Sequence, residues 1–187
     1  MHVLVVFVGR PGTGKTTLAR LTSAELSAAN LRIDAIEAAI LRSGLGDPPF
    51  TPVGYAIAHE VAAASLRAGV HVVVDAVSAD PEARAGWAAL AAEAGTELRI
   101  IEVQVTDPEE HRRRVEARKS DIEGLTVPTW AQVLALVYEP WDTDRDGQRL
   151  LVNNDGLPTE TMAQVRRYLG APERRRRCDT DERRAPW

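Results

Sequence analysis

Cysteine is almost absent: the 187 residues contain one, Cys178, within a charged stretch near the carboxyl terminus. A lone thiol excludes an internal disulfide framework and gives no thiolate cluster for zinc. Long apolar runs are missing as well. The runs present, such as residues 3–8 and 70–74, have the length of strands and fall far short of the ~20 residues that a membrane-crossing helix needs. No basic stretch or cleavage pattern surrounds the first apolar run, and the expectation is a cytoplasmic protein without a membrane partner. An excess of positive charge is lacking too. The formal net charge is −4, and because residues 171–187 hold six arginines against four acids, the rest of the chain carries about −6. An acidic body argues against a nucleic-acid cradle without excluding one, since such cradles show as a basic stripe. The Arg174–Arg177 run reads as a solvated, disordered end or processing remnant, with binding of anions or RNA as the alternative.

Aromatic residues make up 5% of the chain, so the core must be assembled from Val, Leu and Ala. Apolar residues at 44% and charged residues at 27% are globular values, and the length suits one α/β core. The expected layout is one domain over residues 1–170 and a charged tail over 171–187, in a monomer or a homodimer.

What the chain does have is GRPGTGKTT, Gly9 to Thr17, directly after the apolar run VLVVFV. It fits G-x-x-x-x-G-K-[ST] between a strand and a helix, which is the phosphate-binding loop. Glycines let backbone N–H groups curl around phosphate oxygens, and the helix that follows turns its positive end to the same anion. The nucleotide-binding candidates are Gly9, Gly12, Thr13, Gly14, Lys15, Thr16 and Thr17. Lys15 is placed to reach the β- and γ-phosphates, and Thr16 to offer its hydroxyl to Mg²⁺.

In chain order, a strand at 3–8 and a helix at 15–29 are followed by a short apolar segment, 31–33, that delivers Asp34 to its carboxyl end. Ligands collect outside the carboxyl ends of parallel strands, so Asp34 falls beside the transferable phosphate if this strand lies near the first. A helix at 35–42 leads to a breaker-rich loop at 45–54; Asp47, Phe50 and, just after the loop, Tyr55 are candidates for substrate contact, the alternative being that Phe50 and Tyr55 seal a helix against the core. After a helix at 55–69, VHVVV at 70–74 reads as a strand buried on both faces, ending in Asp75. An acid in that position is a candidate to hold Mg²⁺ directly or through water. Helices from Pro81 and Pro108 carry proline at their first positions, around a strand at 98–105. In the second of these, Arg114 and Arg118 are four residues apart and so share a helical face, where they either clamp phosphate oxygens or lace a solvated surface with charge. Residues 119–128 read as a lid, Thr129 as the cap of a helix reaching 138, residues 149–153 as the last strand and 158–169 as the last helix. NNDG at 153–156 lacks the lysine of a guanine-reading motif and reads as a strand-to-helix turn. Five strand–helix units imply a doubly wound, five-stranded parallel sheet.

This order of parts resembles the P-loop small-molecule kinases, a nucleoside-monophosphate-kinase-like group that includes the kinase domain of polynucleotide kinase, chloramphenicol phosphotransferase, gluconate kinase and the zeta toxins. The likeness is greatest to the so-called AAA-type P-loop kinase family and runs over about residues 3–170. It is carried by GRPGTGKTT, the acid in RIDAIEAAI, the run VVVDAVSADPEARAGWAALAAEAG, and RRRVEARK with its downstream PTW. The resemblance implies an ATP- and Mg²⁺-dependent kinase acting on a hydroxyl of a small molecule. It makes Asp34 the general base, with Lys15, Arg114 and Arg118 as the other catalytic groups. Asp75 falls where the family faces an acid to Mg²⁺ or the acceptor, and Arg84 where it has a helix arginine. Arg114 and Arg118 match its lid arginines, one against adenine and the other on phosphates. The chain departs from polynucleotide kinase at Glu37, where that enzyme has arginine, and Glu37 beside Asp34 would repel a phosphorylated acceptor. A nucleoside-monophosphate kinase, with Arg42, Arg67 and Arg84 to hold the acceptor phosphate, and an ATP-hydrolysing switch or AAA-type module are the alternative readings.

Overall fold

The computed structural model describes residues 2–45 and 49–170. Its strands are β1 (Val3–Val8), β2 (Ala29–Arg32), β3 (Val72–Asp75), β4 (Glu97–Gln104) and β5 (Leu150–Asn153). They form one parallel sheet in the order β2-β3-β1-β4-β5, with β1 at its centre. The helices are α1 (Lys15–Leu26), α2 (Ile33–Ser43), α3 (Thr51–Arg67), α4 (Pro81–Glu93), α5 (Pro108–Ala117), α6 (Trp130–Ala135), α7 (Thr143–Asp146) and α8 (Pro158–Leu169). None among the described residues is long and apolar enough to cross a membrane.

The continuous apolar run of β1 follows from burial on both faces of the sheet. Leu4, Val6 and Val8 point into one core with Ala58 and Ala62 of α3 and Trp87 of α4. Val5 and Phe7 point into the other, with Leu18 of α1 and Met162 and Val165 of α8. Small alanines on α3 let that helix lie close to the sheet, which is how a chain poor in aromatics fills its interior.

Local signals set many helix starts. Asp80 caps α4 by accepting from the Ala83 N–H, and Asp107 caps α5 by accepting from Glu109 and Glu110, each ahead of a proline. Thr129 and Gln132 form a capping box on α6.

Several expectations change. Strand β2 ends at Arg32 and lies at the sheet edge, with β3 between it and β1. Ile33 already belongs to α2, where it is buried in the first core, so Asp34 stands in a helical first turn and not at a strand end. Helix α3 starts at Thr51, four residues before the predicted Tyr55, because Pro52 is tolerated in a first helical turn. Helix α6 stops at Ala135, short of the expected 138, and a further short helix, α7, precedes the last strand, capped by Asp142.

Candidate active site

A cleft of about 640 Å³ opens at the carboxyl end of the sheet, with the phosphate loop on one wall and α2 on the other. The loop needs its glycines. Gly9, Gly12 and Gly14 have φ of 133°, 85° and 92°, and a Cβ there would collide with the Val103 carbonyl, the Val115 side chain and the Asn154 amide respectively. Gly14 is also the N-cap of α1. No side chain caps this helix and its first turn holds no acid, so its leading N–H groups and positive end are left for an anion.

Lys15 is buried at the start of α1, and its Nζ donates to the Arg10 carbonyl at 2.9 Å. Burial lowers its pKa, while the Asp75 and Asp34 carboxylates oppose that shift. Thr16 and Thr17 line the cleft, whereas Gly9 and Thr13 are buried and do not line it. Asp75 ends β3 in register with Phe7 and Arg32 and is buried, with Arg32 Nε 3.6 Å from its carboxylate. A hydroxyl and one carboxylate suit Mg²⁺, which keeps most of its waters and needs no protein cage. No group of three or more potential metal-ligating His, Cys, Asp or Glu side chains occurs among the described residues.

The loop is braced from segments distant in sequence. Asn154, just past β5, donates to the Thr13 carbonyl at 2.8 Å and accepts from the Thr161 hydroxyl at 2.8 Å. The His111 ring of α5 bonds the Pro11 carbonyl through Nε2 at 2.8 Å and meets Trp130 edge-on. Arg10 donates from Nη1 to the carbonyls of Val133 and Leu136 at 3.0 and 2.9 Å, closing the end of α6. The sequence offered a signal for Asn154 alone: it follows the last strand at the ligand-bearing end of the sheet.

On the opposite wall, Asp34 Oδ2 lies 3.5 Å from both Arg32 Nη2 and Arg118 Nη2. Glu37 is one turn further along α2. Burial pushes its carboxyl pKa up; the Thr51 hydroxyl, which donates to it, works against this, and the Asp34 charge adds to it. Arg32 Nη1 reaches both oxygens of Asp121, at 2.9 and 3.0 Å, and Arg42 donates to the Glu123 carbonyl at 2.5 Å. These two contacts hold residues 119–128 against α2. Sequence reasoning passed over Arg32 and Asp121.

Arg114 and Arg118 both line the cleft but do not act as a pair on one helical face. Helix α5 ends at Ala117 and Arg118 is already extended. Arg114 is bound to Glu110 at 2.6 Å and to the carbonyls of Asn154 and Asp155 at 2.6 and 3.0 Å.

Three substrate-contact candidates are not brought to the cleft. Phe50 is the N-cap residue of α3. The Tyr55 hydroxyl accepts from the Ser78 N–H at 2.9 Å, and its ring packs on Trp87. Arg84 is 1% exposed, and Asp146 together with four backbone carbonyls takes up its guanidinium, so it has no donor for an acceptor. Asp47 lies outside the described residues. Of the arginines considered for an acceptor phosphate, Arg84 is thus enclosed and Arg42 is committed to the Glu123 carbonyl.

The sequence profile of a family described as an AAA domain matches residues 4–140. No curated protein matches the chain. Among solved structures, a sugar kinase from a Janibacter species shares 18% identity at a TM-score of 0.63, over 90% of this chain and 94% of that one. A gluconokinase from Sinorhizobium meliloti shares 18% at 0.62, over 89% and 90%. The APS kinase of Mycobacterium tuberculosis, in complex with AMPPNP and APS, shares 21% at 0.64, over 91% and 98%. At such identities the likeness speaks for the fold, which this chain has in common with these kinases.

Proposed function

The chain belongs to the AAA domain family, and on that footing we propose that it is an ATP-dependent kinase moving the γ-phosphoryl group to a hydroxyl of a small molecule, as in the polynucleotide kinase, chloramphenicol phosphotransferase and zeta-toxin group. One observation carries the reading: the Asp34 carboxylate opens into the same cleft as Lys15 and Thr16 of the phosphate loop. A hydrolytic switch requires only water at that point, whereas this cleft continues past Asp34 to Glu37, Asp121 and Leu125. Its volume suits a small ligand, the usual range being about 300–1,000 Å³.

In this mechanism the loop and the uncapped start of α1 seat the phosphates, and Lys15 turns from the Arg10 carbonyl to the transferable group. Thr16 and Asp75 would hold Mg²⁺, which when bound neutralises charge on the phosphate oxygens. Asp34 accepts the proton of the acceptor hydroxyl as its oxygen attacks, and Arg118, next to Asp34, offsets charge on the group in flight.

The test is Asp34→Asn. ADP release in the presence of a panel of small hydroxy compounds should identify an acceptor for the parent protein. The variant should then lose about 10²–10⁴-fold in turnover while keeping its affinity for ATP. Undiminished turnover would remove Asp34 from the chemistry.

A further inference from the structure

Arg32 stands at the end of the edge strand β2 with its side chain 11% exposed, inside the cleft and among three carboxylates. Its bonding is incomplete. Nε has no hydrogen-bond partner and is only within ion-pair reach of Asp75, at 3.6 Å. Nη2 is 3.5 Å from Asp34, the long limit of a hydrogen bond. Only Nη1 is well held, by the two oxygens of Asp121. Asp121 itself is 62% exposed and rides on residues 119–128, which contain neither helix nor strand. A guanidinium withdrawn from water needs an anion, whereas an exposed carboxylate loses little when it leaves one.

We infer that Arg32 is the anion subsite of the acceptor half of the cleft, that Asp121 fills it in the way an acidic group of the acceptor does, and that the acceptor class is a small hydroxy acid. This rests on the phosphotransferase reading above. One guanidinium faces both Asp34, through Nη2, and the anion position, through Nη1. A hydroxyl presented to Asp34 and a carboxylate on Arg32 are therefore only a few bonds apart on the same molecule. Arg118, also at 3.5 Å from Asp34, brings a second positive charge to that end. The repulsion that Glu37 threatens from sequence is moderated by its position, since it packs on the start of α3 and takes a hydrogen bond from Thr51. Arg32 also holds the Asp121 carboxyl below the usual carboxylate range, as it would an acceptor's.

The experiment compares glycerate with glycerol, two probes that differ in the carboxylate, on the full chain loaded with Mg²⁺ and a non-hydrolysable ATP analogue so that the phosphate loop is filled. Calorimetry should show the parent protein favouring glycerate. Asp121→Asn, which removes the internal competitor, should tighten glycerate by up to about fivefold and leave glycerol unchanged. Arg32→Gln should abolish the preference, and Arg32→Lys should restore part of it, with thermal melts showing each variant folded. Looser glycerate binding in Asp121→Asn, or a preference that survives in Arg32→Gln, overturns the subsite. Nucleotide affinity and phosphoryl transfer are read separately. Selective binding of glycerate with no transfer to any hydroxy compound keeps the subsite and sinks the phosphotransferase reading, and transfer that is indifferent to Arg32 does the reverse.

Discussion

Arg84 and Arg32 are the same residue type, both largely withdrawn from water, one in the first turn of α4 and the other at the end of β2, yet their surroundings differ in kind. Arg84 is enclosed. Nε donates to the Ser78 carbonyl at 3.1 Å, Nη1 to Asp146 at 2.8 Å, and Nη2 to the carbonyls of Ala79 and Glu139 at 3.0 and 2.6 Å. Tyr138 and Trp141 stack on its guanidinium, with ring centroids 5.3 and 4.9 Å away, and Arg10 and Arg149 cover those same rings. Arg32 has carboxylates on three sides, one firm bond and one nitrogen without any. A guanidinium whose donors are all spent on backbone carbonyls and a buried carboxylate ties loops together and can do nothing else. One that is surrounded by charge but poorly bonded has capacity left for a ligand. Burial alone does not separate the two cases; the bonding does.

The contrast is broken most directly at Arg84. Arg84→Met keeps much of the volume but strands four carbonyls and removes a buried ion pair, and should cost about 3–5 kcal/mol in urea unfolding. Arg84→Lys should recover little of it, because a point charge cannot replace a planar fork. Arg32→Gln should move stability much less while changing what the cleft binds. If Arg32→Gln destabilises the fold as strongly as Arg84→Met, Arg32 is also a structural tie and the distinction is lost.

The carboxylates on the two arginines offer a second, smaller test. Hydrogen bonds from Arg145 hold the Asp146 carboxyl far below the usual range, helped by the Asp142 N–H and by Arg84. Arg32 lowers Asp121 in the same direction. A depressed folded-state pKa means stability that is complete above the unfolded value, about pH 4, and is lost as the pH falls from there toward the folded value. Melting curves of Asp146→Asn should therefore be flatter than the parent's below about pH 4, at low and high salt alike. Asp121 is mostly exposed, so any acid dependence that Asp121→Asn removes should disappear in about 0.5 M salt. Equal salt sensitivity at the two sites would count against the contrast.

Neither fate was legible in the sequence, and the reason is distance along the chain. Arg84 draws its carboxylate from Asp146, 62 residues away, through a short helix that a polar loop did not announce. Arg32 meets Asp121 across 89 residues, and in sequence it is one charge in a short apolar segment. The phosphate loop and the β1 and β3 strands were readable because their signals are local: an apolar run, a glycine-set turn and a carboxyl-terminal acid. The five-stranded parallel sheet followed from counting such units, but the edge position of β2 did not, since strand order is decided by packing. Asp34 was found for a partly mistaken reason. It reaches the cleft from the first turn of α2, with β3 standing between its strand and the phosphate loop.

The smallest expected effect concerns Glu37, which lies between the two kinds of environment. Unlike Asp121 and Asp146 it has no arginine partner among the described residues, and burial raises its pKa, with the Thr51 hydroxyl as its hydrogen-bond donor. A carboxyl whose folded pKa is raised contributes stability that is fully present below the unfolded value, about pH 4.3, and is lost as the pH rises through the folded one. Glu37→Gln keeps a group that Thr51 can donate to and cannot ionise. At pH 7 it should melt slightly higher than the parent, by about 0.5 kcal/mol, and the difference should vanish near pH 4. Glu37 lines the cleft beside Asp34. A variant that is stabilised at pH 7 and loses acceptor affinity would assign Glu37 to the acceptor site; one that is destabilised would make it a tie between α2 and α3, closer to Arg84 than to Arg32.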